Sequence, residues 1–130
     1  MVTDPVADML TIIRNAQKVG QKTVELPFSK FKFELAKIIK RAGYIEEAAK
    51  RGKKNKKSLE IVLKYQDKTP CISEIKRISK PGRRVYISSK SIRPVKQGFG
   101  MMVVSTSRGL MTDKDARKQK LGGEVICEMW

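Results

Sequence analysis

The C-terminal stretch Met101–Trp130, MMVVSTSRGLMTDKDARKQKLGGEVICEMW, predicts most of the fold of its region. It begins with an apolar run, Met101–Val104, that is typical of a strand and ends at three hydroxyl side chains, a basic residue and a glycine. After a second short strand, Thr112 or Asp113 can cap a short helix over DKDARKQKL. The last segment, GGEVICEMW, reads as a final strand. The pattern predicts mostly antiparallel β structure with one short helix.

Two further strand candidates, CISEIKRI and RRVYI, lie upstream on either side of the turn SKPG. Before them, QDKTP has the composition of a connector. We therefore expect an N-terminal domain over residues 1–65, a linker over residues 66–70 and a β-rich C-terminal domain over residues 71–130.

The N-terminal half alternates helices and strands in the order α-β-α-β-β. Asp4 and Pro5 suit the start of a helix that Gly20 can end, and a second helix can begin at Ser29 and end at Gly43. The apolar face of the second helix is predicted to comprise Leu35, Ile38, Ile39 and Ala42. The strand candidates are TVELP, YIEEAA and SLEIVLKY. The fold class predicted for the whole chain is α+β, in two small α+β domains.

The charge balance points to a polyanionic partner. The 130 residues include 29 Lys and Arg against 13 Asp and Glu, a formal net charge of +16, while 40% hydrophobic residues suffice for a core. No apolar run approaches the ~18 residues of a membrane-spanning helix. The start, MVTDPVADML, lacks the features of a signal peptide. We expect a soluble cytoplasmic protein that binds nucleic acid rather than membrane.

Composition also excludes several kinds of catalytic site. The chain has no histidine, which excludes Ser-His and Cys-His catalysis, and its two cysteines, Cys71 and Cys127, lack metal-ligand spacing. We expect both as reduced thiols inside strands, and no metal or cofactor. Asp113 and Asp115 are too sparse for a metal-dependent nuclease and favour helix capping.

Two groups of basic residues could contact phosphates. The run KRGKKNKK, Lys50–Lys57, has six basic residues in eight positions and is either a phosphate-binding hairpin tip or a solvated loop. Around the turn Pro81–Gly82, a second group leads to Tyr86, which either stacks on an unpaired base or packs within a sheet. This group comprises Arg77, Lys80, Arg83 and Arg84. Aromatic content of only 6% argues against a broad base-stacking platform.

The three consecutive hydroxyls Ser105, Thr106 and Ser107 are the candidate for RNA selectivity. A hydroxyl both donates and accepts, so it can contact ribose 2′-hydroxyls, base edges and phosphates in the shallow minor groove of A-form RNA. Gly109 would permit the tight turn that such an approach requires. The alternative is ordinary turn chemistry between two strands.

Three segments carry a resemblance to a known family. In order along the chain, DPVADMLTIIRNA, SKPGRRVY and GMMVVSTSRGLMTDKDARKQKLGGEVICEMW resemble bacterial small-subunit ribosomal protein eight, and the similarity covers essentially the whole chain. The resemblance implies two linked α+β domains without catalytic activity. It implies direct binding to the central domain of small-subunit (16S) rRNA early in assembly, and in some bacteria repression of the protein's own operon mRNA. We expect neighbouring small-subunit ribosomal proteins as further partners and a monomer when free.

The resemblance also implies residue roles. The principal RNA contact would be Ser105, Thr106 and Ser107 with Tyr86 nearby, and we add the adjacent Arg84. Glu124 would accept a hydrogen bond from a loop hydroxyl and orient the loop. A subsidiary N-terminal surface would comprise Thr3, Asp4, Arg14, Asn15 and Lys30. The segment around Lys50–Lys57 is the least family-like.

The competing hypothesis is a DNA-compacting nucleoid protein, which net charge alone would permit. Such a protein would read B-form grooves with a basic helix or arm. None of the predicted helices is basic around its exposed face over several turns. The hypothesis we favour is therefore a structural RNA-binding protein.

Overall fold

The computed structural model describes residues 4–130. They divide into two compact units. The first unit spans Pro5–Ile72, and the second comprises Asp4 together with Ser73–Trp130.

The first unit combines two helices with a three-stranded and a two-stranded antiparallel sheet. Its elements are α1 (Pro5–Lys18), β1 (Thr23–Pro27), α2 (Lys30–Arg41), β2 (Ile45–Arg51), β3 (Ser58–Leu63), β4 (Tyr65–Gln66) and β5 (Thr69–Pro70). The larger sheet has the order β1-β3-β2, and β4 pairs with β5. The predicted α-β-α-β-β order is thus confirmed, and QDKTP contributes to the small β4–β5 hairpin.

The core of the first unit follows from side-chain periodicity. Leu26 pairs with Leu59 and Val24 with Ile61, so these buried residues share one face of the sheet. One face of α1 is buried, at the spacing of an amphipathic helix. It comprises Val6, Met9, Leu10, Ile13 and Ala16.

Helix α2 begins where predicted but ends one residue earlier than its apolar pattern suggests. The hydroxyl of Ser29 accepts a hydrogen bond from the backbone N–H of Lys32 at 3.1 Å, which caps the helix. The prediction that Ala42 belongs to the buried face is wrong: Ala42 is the exposed C-cap residue. Ala36 is buried in addition to the other predicted residues.

The second unit is a mostly antiparallel β structure with one short α-helix, as predicted. Its strands and α-helix are β6 (Ile75–Arg77), β7 (Tyr86–Ile87), β8 (Met101–Thr106), β9 (Gly109–Thr112), α3 (Asp113–Gln119) and β10 (Gly123–Met129), and two short 3-10 helices, Ser89–Ser91 and Val95–Gly98, lie between β7 and β8. The sheet order is β6-β10-β8-β9, and β7 also pairs with β10.

Strands β6 and β7 are shorter than CISEIKRI and RRVYI predict, because both pair with β10. Strand β6 pairs with residues Cys127–Met129 of β10, and β7 pairs with residues Gly123–Glu124 of the same strand. The SKPG turn between them is closed by two backbone hydrogen bonds that link Lys80 and Arg83, at 2.9 and 3.0 Å.

The choice between two caps for α3 is resolved in favour of Thr112, whose hydroxyl accepts from the N–H of Asp115 at 3.2 Å. Asp113 is buried, and its carboxylate accepts from the N–H of Met102 at 3.1 Å and from the guanidinium of Arg117 at 3.0 Å. This carboxylate therefore ties α3 to the start of β8.

Both cysteines are free thiols, but only Cys127 lies in a strand. Cys71 is half-buried and follows β5 in irregular backbone, so its predicted strand position is wrong. Complete burial raises the pKa of the Cys127 thiol to about 12. Within residues 4–130, no helix is long and apolar enough to cross a bilayer.

Candidate nucleic-acid interface

A row of three unlike side chains crosses neighbouring strands of the second unit. Tyr86 on β7 pairs with Glu124 on β10, which pairs on its other side with Ser105 on β8. Directly paired residues project to the same face of a sheet, so an aromatic ring, a carboxylate and a hydroxyl stand side by side. The Tyr86 side chain is 71% exposed, so its ring is open to an external partner rather than packed within the sheet. We call Tyr86, Glu124 and Ser105 the polar row.

The loop that follows Ser105 fixes its own shape. The hydroxyl of Thr106 donates to the carbonyl of Gly109 at 2.9 Å and accepts from the N–H of Arg108 at 3.1 Å. Gly109 has a φ of +105°, a conformation that favours glycine, as expected for the predicted tight turn. We call Ser105–Ser107 the hydroxyl loop.

The three hydroxyls therefore divide into one structural group and two available groups. Among residues 4–130, no hydrogen-bond partner engages the hydroxyls of Ser105 and Ser107, and Ser107 is exposed. The Thr106 hydroxyl is already used inside the turn. Ser105 and Ser107 can each donate and accept one or more bonds to an external ligand.

Glu124 orients a hydroxyl, but not one of the hydroxyl loop. Its carboxylate accepts a short hydrogen bond from the hydroxyl of Ser79 and a second from the guanidinium of Arg84 at 3.1 Å. The predicted loop-hydroxyl partner is therefore wrong. The reason lies in the backbone: the N–H of Ser79 donates to the carbonyl of Val125 at 3.1 Å, which brings Ser79 directly beside β10.

Ser79 is a functional candidate that the sequence did not reveal. It is wholly buried, and its hydroxyl also accepts from the N–H of Val85 at 3.2 Å. The hydrogen bond from Ser79 and the bond from Arg84 lower the pKa of Glu124, so the carboxylate stays ionised at neutral pH. The ionised group holds the exposed Arg84 beside the polar row, two residues from Tyr86 in the sequence.

The close approach of β10 to the hydroxyl loop depends on Gly123. A Cβ atom at this position would overlap the carbonyl oxygen of Ser105 and crowd Thr106. The double glycine that opens GGEVICEMW was the available signal, although the sequence does not reveal which backbone it must approach.

The basic residues predicted around the SKPG turn are not all accessible to an external partner. Lys80, Arg83 and Arg84 are exposed around the SKPG turn. Arg77 does not belong with them: its guanidinium pairs with the carboxylate of Asp4 at 3.2 and 3.3 Å and donates to the carbonyl of Ile126 at 2.6 Å. Its charge is therefore already engaged inside the unit.

The described residues of the predicted N-terminal surface belong to both units. Asp4 belongs to the second unit, and its carboxylate is engaged by Arg77. Arg14 and Asn15 lie on α1, and the exposed Lys30 is the first residue of α2, all in the first unit. Thr3 lies outside the described residues. None of these residues belongs to the polar row.

The part of the chain that the structure describes offers no ready metal centre. No three His, Cys, Asp or Glu side chains within residues 4–130 come together to hold an ion. The Asp113 carboxylate is already hydrogen-bonded to the N–H of Met102 and the guanidinium of Arg117.

Comparison with known proteins agrees with the family that the sequence motifs indicate. The model of the family described as Ribosomal protein S8 matches residues 4–130. The small ribosomal subunit protein uS8 of Mycoplasmopsis pulmonis is 48% identical over 130 residues, 100% of this chain and 98% of that relative. That of Thiobacillus denitrificans is 50% identical over 126 residues, 97% of this chain and 96% of the relative. For Nitratidesulfovibrio vulgaris the identity is 48%, with both chains fully covered. The chain therefore belongs to the Ribosomal protein S8 family.

Proposed function

We propose that this chain is a structural, non-enzymatic protein of the small ribosomal subunit that binds the central domain of 16S rRNA directly. The observation that carries the proposal is the pair of available hydroxyls, Ser105 and Ser107, beside an exposed tyrosine in a protein of net charge +16. The relatives are named as small ribosomal subunit proteins, which supports the ribosomal role and, with it, residence in the cytoplasmic ribosome.

In this proposal, attraction and selection come from different residues. Lysine and arginine draw the protein to any RNA through salt-sensitive phosphate contacts. Ser105 and Ser107 then select a site, because a short hydroxyl can approach the minor-groove face of an irregular RNA helix and both donate and accept there. Tyr86 and Arg84 lie where they can stack on, or bond to, a neighbouring nucleotide.

The finer biological role follows from the family resemblance. We infer that the protein binds rRNA early, before most neighbouring ribosomal proteins, and so nucleates folding of the central domain. Binding of its own operon mRNA would use the same surface, because a messenger that mimics the rRNA site presents the same groove. We assign the principal contact to the C-terminal domain, residues 71–130, and a subsidiary contact to Arg14, Asn15 and Lys30.

Footprinting of the purified protein on naked 16S rRNA tests the proposal. We expect protection confined to one irregular helix of the central domain at physiological salt, and its retention against excess duplex DNA. Protection spread evenly over the rRNA, or equal competition by duplex DNA, would contradict the proposal and favour a nucleic-acid-compacting protein instead.

A further inference from the structure

Two lysines of the basic run project from the core face of the first unit's sheet. Lys50 pairs with Leu59, as Ala48 pairs with Ile61, and both apolar partners are wholly buried. Because paired residues share a face, Lys50 extends this buried face past the end of the core. Lys57 directly precedes β3, two positions from Leu59, and continued alternation of side chains places it on the same side. The two cations therefore meet at one end of the sheet, while Lys53 and Lys54 lie further out on the exposed tip.

Phe28 lies at this end of the sheet, beside both lysines. The N–H of Phe28 donates to the carbonyl of Lys57 at 3.3 Å, and the Lys50 ammonium lies 5.1 Å from the centroid of the Phe28 ring. The rings of Phe28 and Phe33 are 5.7 Å apart, and Lys37 lies 5.2 Å from the Phe33 centroid. The Lys50 side chain thus packs against an aromatic ring, whereas no such contact involves Lys53 or Lys54 among the described residues.

The charges at this position are not balanced within the described chain. The positive charge of the neighbouring Lys57 lowers the pKa of Lys50. Neither lysine forms an ion pair among residues 4–130, and two acids of the same sheet, Glu60 and Glu47, are paired with other cations. Glu60 pairs with Arg51 at 3.6 Å, and Glu47 pairs with Lys40 at 2.7 Å. Two neighbouring positive charges without an acidic partner repel each other, and a bound anion would offset this repulsion.

We propose that Lys50 and Lys57, supported by Phe28, form a second RNA contact that binds a backbone phosphate. This inference rests on the proposed function, since it takes the anion to be RNA. A lysine ammonium is a compact point charge suited to a single phosphate, and two of them can bind the two non-bridging oxygens of one group. In this proposal Lys50 and Lys57, at the two ends of the basic run, bind phosphate, while Lys53 and Lys54 at its tip are solvated. Each of the two interpretations of the run then applies to a different pair of residues.

The test compares two double variants of equal charge change, both in the full-length chain. Lys50→Gln/Lys57→Gln removes the proposed site, and the control Lys53→Gln/Lys54→Gln removes two tip charges. Binding to the 16S central domain is measured across a salt series, with hydroxyl-radical footprinting of each complex. We expect the first variant to flatten the log-log salt slope by about 2, to weaken binding roughly tenfold and to lose one patch of backbone protection. The control should change the slope by much less and keep every protected patch.

Equal effects of the two variants would overturn the inference, because only net charge would then matter. So would a first variant that binds like the unsubstituted chain. These results leave the proposed function standing if the protection that depends on Ser105 and Ser107 persists. Failure of the unsubstituted chain to protect any rRNA site would overturn both. Circular dichroism and thermal unfolding identify a folding defect, and Lys50→Arg/Lys57→Arg, which keeps both charges, should then restore the slope and the protected patch.

Discussion

Ser105 on β8 lies directly opposite Glu124 on β10, and Glu124 is hydrogen-bonded to Ser79 rather than to the loop that Ser105 begins. Glu124 of the polar row is therefore held by bonds from within the unit, while the hydroxyls of Ser105 and Ser107 have no hydrogen-bond partner among residues 4–130.

Thr106 should act through the shape of the hydroxyl loop. Thr106→Val removes the hydroxyl that bonds Gly109 and Arg108, so we expect a loss of about 1–2 kcal/mol in the free energy of unfolding and weaker rRNA binding. Thr106→Ser keeps the hydroxyl and should restore both. Chemical denaturation and filter binding measure the two effects. A Thr106→Val protein with normal stability and impaired binding would show instead that Thr106 contacts RNA itself.

Gly123 should be intolerant of any side chain. Gly123→Ala places a methyl group against the carbonyl oxygen of Ser105, which forces β10 and β8 apart and should destabilise the protein by about 1–3 kcal/mol. Gly82→Ala is the control, because a Cβ atom there meets nothing within 4 Å. Thermal unfolding of both variants checks the prediction. Equal stability of the two would mean that the strands are not held as closely as described.

Glu124 should contribute stability that disappears in acid. Its pKa in the folded protein lies below the usual 4.5, chiefly because Ser79 donates a hydrogen bond to the carboxylate. The stabilisation is therefore fully present above pH 4.5 and is lost as the pH falls through the lower folded value. Glu124→Gln should flatten this part of the curve of unfolding free energy against pH. An unchanged curve would show that the Ser79 bond carries no net stability.

The two thiols should differ sharply in reactivity. The native protein should react with a thiol reagent once, at the half-buried Cys71, because the buried Cys127 has a pKa raised to about 12 and little thiolate forms. Both should react after denaturation. Mass spectrometry of alkylated peptides assigns the sites, and rapid modification of Cys127 in the native state would contradict the burial described for β10.

The sequence supports the predicted fold class well because periodicity is a local signal. The buried stripe of α1, the cap at Ser29 and the turn SKPG can each be read from a few adjacent residues. The pairing of β6 and β7 with the same strand is not local, and so their short lengths could not be predicted. The same reason applies to the site: Ser105–Ser107 stand out as three adjacent hydroxyls, but Ser79 is brought to Glu124 only by strand pairing 45 residues apart.

The most direct test of the account is the selectivity of Ser105→Ala/Ser107→Ala. Its binding is measured against the 16S central domain and against an unrelated folded RNA, each across a salt series. We predict a loss of about 1–3 kcal/mol for the central domain alone, with the salt slope and the weak affinity for the unrelated RNA unchanged. An equal loss of affinity for both RNAs, or a flattened slope, would contradict the claim that uncharged hydroxyls select the site.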